Sequence, residues 1–269
     1  MIAFNKIACL LFPSALLLSG AAYAGTGHLG NVETLGIKTG MTHEEVRAAL
    51  AKIKKPWKES APRSKGYYFD QNVGEVFEAQ FTATDSSGSE ELTLSYSKEN
   101  ALFRIQRTAR WPAGARPALA TAIKAVSDKY GPPTSQRVYS DMEQMFYYTL
   151  DGGKVITADD LPNKRGYVSD ATKCFEFDKM PPSRFNNPGN LATQDVLYTK
   201  CGGSVQVILE PDNPNYPNKS PREIARKMDL DINDPRVFLA AAQKELFARQ
   251  NKLQEQNDKA KTNGIKPVL

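Results

Sequence analysis

Three stretches of this chain alternate apolar and polar side chains with a period of two. Phe77, Ala79, Phe81 and Ala83 alternate with Glu78, Gln80 and Thr82. Leu92, Leu94 and Tyr96 alternate with Thr93 and Ser95, and Ala101, Phe103 and Ile105 with Leu102, Arg104 and Gln106. Successive side chains of a strand point to opposite faces, so this pattern demands an antiparallel sheet with one face buried and one facing water. The polar stretches 85–89 and 98–100 supply the turns. A half-apolar sheet needs a cover, and the chain offers two helices. Thr42 and Glu45 form a T-x-x-E capping box, and Val46, Ala49, Leu50 and Ile53 follow at helical spacing until Pro56. Leu119, Ala122, Ile123 and Val126 repeat that spacing, and Gly131-Pro132-Pro133 stops the second helix.

Further strands are expected at 67–69, 135–139, 144–150, 154–157, 172–177, 196–201 and 204–209. Ser220-Pro221-Arg222-Glu223 makes another capping box and predicts a short helix to about Met228. Asp234-Pro235 predicts a last helix, with Phe238, Ala242, Leu246 and Leu253 along one side and a terminus rich in Gln, Asn and Lys. The expected fold is α+β: two tandem helix-plus-antiparallel-sheet units with a C-terminal helical extension. The boundaries are 1–24 for a signal peptide, 25–112 for the first unit, 113–212 for the second and 213–269 for the C-terminal helical segment. Residues 25–35 are Gly-rich and read as a loose lead-in.

The signal peptide is read from Lys6, an apolar stretch from Ile7 to Leu18, and small residues ending Ala22-Tyr23-Ala24. This pattern places cleavage between Ala24 and Gly25. The apolar stretch is too short to span about 30 Å of hydrocarbon. The expectation is a periplasmic or secreted protein with no transmembrane anchor in its mature form. Of the three cysteines, Cys174 and Cys201 outlast cleavage, and an oxidising compartment favours a disulfide between them. Closing a loop of about 28 residues stabilises the folded state by roughly 3–4 kcal/mol in the chain-entropy model. A net charge of +5 without a basic cluster argues against a nucleic-acid partner.

Motifs for catalysis are sparse. The two histidines, His28 and His43, sit in the lead-in and at the start of the first helix, where His43 reads as a surface residue. The chain has no G-x-S-x-G elbow, H-E-x-x-H pair or Walker-type phosphate loop, and no catalytic residue, metal or cofactor is assigned. Asp229, Asp231, Asn233 and Asp234 resemble a calcium loop but lack its glycine and its closing glutamate. Glu44/Glu45, Glu90/Glu91 and Asp159/Asp160 are the acid pairs a glycan hydrolase would need, if two carboxylates faced each other across a cleft. Aromatic side chains are more prominent. Tyr67, Tyr68, Trp111, Tyr147 and Tyr148 are the candidate binding surface, with the outward tyrosines as a platform on the sheet.

The segment Ile37-Lys38-Thr39-Gly40-Met41-Thr42-His43-Glu44-Glu45-Val46, followed by an amphipathic helix and sheet, resembles the opening of SmpA/OmlA (BamE-type) envelope proteins. Lys129-Tyr130-Gly131-Pro132-Pro133 is similar to their helix exit, and the tandem reading is similar to the beta-lactamase-inhibitor-protein fold. The resemblance covers about residues 37–157. It implies a non-enzymatic periplasmic module that binds another envelope protein, in assembly or inhibition. The alternatives are a carboxylate-dependent hydrolase of cell-wall glycan and a carrier of a small ligand or lipid, which needs an apolar cavity between sheet and helix.

Overall fold

The computed structural model describes residues 29–66, 75–139, 141–160, 200–212 and 224–263. The cleavage site at Ala24 and Gly25, the tyrosines Tyr67 and Tyr68, His28, and Cys174 lie outside the described residues. Nine strands pair into one antiparallel sheet: β1 (Lys58–Glu59), β2 (Arg63–Gly66), β3 (Glu75–Asp85), β4 (Gly88–Tyr96), β5 (Leu102–Arg110), β6 (Ser135–Val138), β7 (Glu143–Leu150), β8 (Cys201–Pro211) and β9 (Ala225–Asn233). Their order is β1-β3-β4-β5-β9-β8-β7-β6, with β2 also paired to β3.

This single sheet corrects the expectation of two tandem helix-plus-sheet units. The cause lies in residues 225–233. The capping box at Ser220 predicted helix through Met228, yet Met228, Leu230 and Ile232 alternate with Asp229, Asp231 and Asn233, and the segment is a strand. It pairs with β5 on one side and β8 on the other, in the register Ile105↔Ile232↔Val205. A capping box is a local signal worth about 1 kcal/mol. Two flanking ladders satisfy the backbone N–H and C=O groups of the whole strand, and they outweigh that signal. The last strand therefore closes the gap between the two halves and fuses their sheets.

One face of the sheet carries the core. Leu92 and Leu94 of β4, Ile105 of β5, Leu230 and Ile232 of β9, and Val205 and Val207 of β8 are buried there. Helices α1 (His43–Ala51) and α2 (Leu119–Tyr130) supply Val46, Leu50, Leu119 and Val126 to the same core. The capping box of α1 forms as expected: Glu45 N–H donates to Thr42 Oγ1 at 3.3 Å, and Thr42 N–H donates to Glu45 Oε2 at 2.7 Å. The lead-in also joins the core. Leu29 and Ile37 are buried, and Thr34 and Ile37 exchange backbone hydrogen bonds around a turn in which Leu35 and Gly36 both have positive φ. The loose reading of residues 25–35 thus fails from Leu29 onward.

The opposite face is polar. Arg104 forms a two-pronged ion pair with Asp231, and Thr108 donates to Asp229 at 2.7 Å. Asp229 and Asp231, two of the would-be calcium residues, are therefore strand residues engaged with β5. A third helix, α3 (Pro235–Asn263), starts beside buried Asp234, whose carboxylate accepts from Thr39 at 3.1 Å. Val237 and Phe238 are buried, with the Phe238 ring 5.1 Å from Phe103. Residues 251–259 are exposed, Leu253 at 59%, so the far half of α3 stands away from the sheet. Among the described residues no helix is long and apolar enough to cross a membrane.

Candidate functional site

The inner face is not fully filled. Between α2 and the segment 29–34, two adjoining cavities open over strands β7, β8 and β9. The first, about 400 Å³, has Ala122, Ala125 and Val126 of α2 as one wall and Val207, Met228 and Leu230 as its floor, with Trp111 at one end. It is predominantly apolar because its floor is the core face of the sheet. The second, about 530 Å³, is bordered by Leu29, Val32 and Glu33 of the lead-in, Tyr147, Lys129 and Lys154. Both cavities are lined by Lys129 and Tyr130, the last residues of α2.

That ring is held on two sides. Its hydroxyl donates to the backbone carbonyl of Glu33 at 3.0 Å, and its centroid lies 5.6 Å from Tyr147 at a tilt of 55°. Burial pushes the Tyr130 hydroxyl well above the usual phenol range, and the Glu33 charge adds to this against the opposing pull of Arg107. The group is thus a fixed neutral donor. Lys129 stands 3.5 Å from the Glu33 carboxylate, a second tie between α2 and the lead-in. Arg107 reaches the rim of the first cavity but is already neutralised. Its guanidinium donates to Glu90 at 2.9 Å and to Thr34 Oγ1 at 3.0 Å, and Lys55 shares the same glutamate.

The sequence-derived site residues scatter. Trp111 lines the first cavity and Tyr147 the second. Tyr147 is 0% exposed and Tyr148 is 5% exposed, so neither contributes to an open tyrosine platform. Both belong to β7, whose two faces are packed at that point, and alternation alone could not reveal a covered second face. The acid pairs do not converge. Glu45 closes the capping box, Glu44 accepts from Asn100 at 3.2 Å, Glu90 pairs with Arg107 and Lys55, and Glu91 accepts from Gln80 at 2.5 Å. Asp159 and Asp160 are exposed in a 3-10 turn, where Thr157 engages Asp160. Cys201 is disulfide-bonded. Among the described residues no group of three or more His, Cys, Asp and Glu is placed to hold a metal ion.

His43 departs most from expectation. It is only 7% exposed, because Phe77 and Tyr96 box its ring at 5.2 and 5.5 Å. Its Nε2 lies 2.8 Å from Glu59 Oε1, outside the geometry of a well-formed hydrogen bond. Arg47 donates to the other oxygen of Glu59 at 2.7 Å. Burial of Glu59 works against its charge, but Arg47 and His43 together outweigh it and hold the carboxyl below the usual range. The cluster pins α1 to β1.

Tyr130, Lys129, Met228 and Leu230 build the trough, and none was among the candidate residues. In the sequence Tyr130 stands out only as part of a helix exit, and Met228 as the end of an expected short helix. No family model, curated protein or solved structure matches this chain.

Proposed function

We propose that this chain is an exported, non-enzymatic binding module of the cell envelope that engages another envelope protein, with the α2 trough as its recognition site. The observation that carries the reading is the trough itself: two adjoining cavities on the core side of the sheet, walled by one helix and sharing a doubly held tyrosine. Concave, largely apolar pockets with a few fixed polar groups are the usual form of a binding site. The envelope assignment rests on the signal-like residues 1–24 and on the disulfide at Cys201, which needs an oxidising compartment. A second reading, a carrier for a small amphiphile, draws on the apolar first cavity between sheet and helix.

The test is photo-crosslinking in living cells from a benzophenone side chain placed at Ala125, on the trough wall, and at Gln106, on the polar face. Capture of one protein from Ala125 but not Gln106, abolished by Thr121→Trp and reproduced with the purified pair, supports the module. Capture of lipid from Ala125 moves the assignment to the carrier. Equal capture from both positions removes the trough from either reading.

A further inference from the structure

We infer that the first cavity, the one bordered by Trp111, is a binding site for an uncharged small molecule: an alkyl or aromatic body with at most a neutral polar end. Such a ligand is distinct from the protein partner proposed above, and its site does not depend on that partner.

The cavity has a buried apolar base and an open side. Val126, Val207 and Leu230 at its base are buried, whereas Thr121, Ala125 and Lys129, spaced four residues apart along α2, are exposed. The open side therefore runs along this row of α2, and two of its three side chains are small. Water at the base meets few hydrogen-bonding groups, so its release to bulk favours an apolar occupant. The aromatic borders are tied into the fold. The Trp111 backbone N–H donates to the Arg226 carbonyl at 3.0 Å, its carbonyl accepts from Arg116 at 3.3 Å, and the Tyr130 hydroxyl donates to the Glu33 carbonyl. A site that is formed before its ligand arrives loses little ordering entropy on binding.

Size points to a free molecule. A volume of about 400 Å³ lies within the range of small-molecule sites, about 300–1,000 Å³. It is more than twice the roughly 150 Å³ in which an apolar cavity holds benzene, which gives room for on the order of ten to fifteen carbons. A single side chain reaching in from a partner would leave much of that space empty and forfeit the contacts of its lining.

Charge points to a neutral one. Two cations line the cavity, Arg107 and Lys129. All three guanidinium nitrogens of Arg107 are engaged: Nε and Nη2 with Glu90 at 2.9 and 2.8 Å, and Nη1 with Thr34 Oγ1 at 3.0 Å. Lys55 shares Glu90 but also faces Asp85 at 3.8 Å, so these charges balance. The Lys129 ammonium lies 3.5 Å from the Glu33 carboxylate and 5.6 Å from the Tyr130 ring centroid. An anionic ligand would have to displace one of these carboxylates. Among the described residues no carboxylate lines the cavity, so a cationic ligand finds no counter-charge there. Moving an ionised group out of water without a partner is strongly disfavoured, and the cavity thus selects against charge of either sign.

The experiment titrates the full chain from Gly25 with N-phenylnaphthylamine, an uncharged fluorophore. The probe is then displaced by decanol, decanoate or decylammonium, each below its micellar or solubility limit. We expect one probe site per chain, and displacement by decanol at a concentration at least tenfold lower than either ion needs. Ala125→Trp, at an exposed helix position, fills the cavity and weakens probe and decanol at least tenfold with unchanged circular dichroism. Thr121→Trp, one turn earlier, does the same, and Gln106→Trp on the polar face leaves both affinities unchanged. Decanoate or decylammonium that displaces the probe as well as decanol does overturns the inference. Loss of such a decanoate effect in Lys129→Gln would then assign the site to an anionic amphiphile. Probe binding that is absent, or that survives both tryptophan substitutions on α2, also overturns it. Protein capture from Ala125 without decanol binding removes the ligand and leaves the binding module standing; decanol binding without protein capture does the reverse.

Discussion

Replacing Ile232 by Ala tests the feature that most separates this fold from two tandem units. Ile232 is 0% exposed, and its register partners Ile105 and Val205 are buried with it, one from each half of the sheet. The substitution removes three carbons. At about 0.8 kcal/mol per buried CH₂ the transfer loss is about 2.4 kcal/mol. A central strand clamped on both sides collapses little around the gap, so the cavity left behind raises the total to about 3–4 kcal/mol. For a chain of this size that lowers Tm by about 10 °C. Urea denaturation followed by tryptophan fluorescence and by far-ultraviolet circular dichroism measures it. Leu253→Ala, at a position 59% exposed, is the control and should change stability by less than about 0.5 kcal/mol. The native chain should unfold in one transition by both probes. A loss below about 1 kcal/mol for Ile232→Ala, or two separable transitions in the native chain, would refute the continuous sheet.

Two further outcomes are expected. Glu59 has its pKa held down by Arg47 and His43 against the effect of burial, so its contribution is full above the unfolded value of about 4.3 and fades as pH falls through the lower folded value. Glu59→Gln should therefore cost about 1–2 kcal/mol at neutral pH. In urea titrations the gap to the native chain should close in acid, and a gap that persists undiminished at pH 3 would contradict the assignment. Gly152 and Gly153 both have positive φ, but a Cβ on Gly153 would lie 2.2 Å from the carbonyl oxygen of Leu29, while nothing lies within 4 Å of one on Gly152. Alanine at Gly152 should cost about 1 kcal/mol in thermal unfolding. Alanine at Gly153 should cost at least about twice that and loosen the lead-in, measured as faster amide exchange at residues 29–34. Equal costs at the two glycines would show that the lead-in does not pack there.

Much of the local structure was legible because local structure is set by spacing and caps. The capping box at Thr42, the apolar faces of α1 and α2, the alternation in β3 to β5 and the stop at Gly131 all encode their elements within a few residues. The functional candidates were less legible. Trp111 and Tyr147 do line the cavities, but Tyr148 is covered, and Tyr130 gained its role only from the Glu33 carbonyl, 97 positions away in sequence. His43 looked exposed because the first turn of a helix usually is; a strand 34 residues later brings Phe77 over it.

The sequence by itself determined that a half-buried antiparallel sheet must exist and that two amphipathic helices must cover it, since period-two and period-3.6 patterns leave each apolar face needing the other. Only the tertiary structure decided that residues 225–233 join the sheet rather than extend a helix. That choice depends on ladders from β5 and β8, which lie far away along the chain. The trough follows from the same event, because β9 sets Met228 and Leu230 beneath α2, and a cavity is defined by what meets across space rather than by any run of residues.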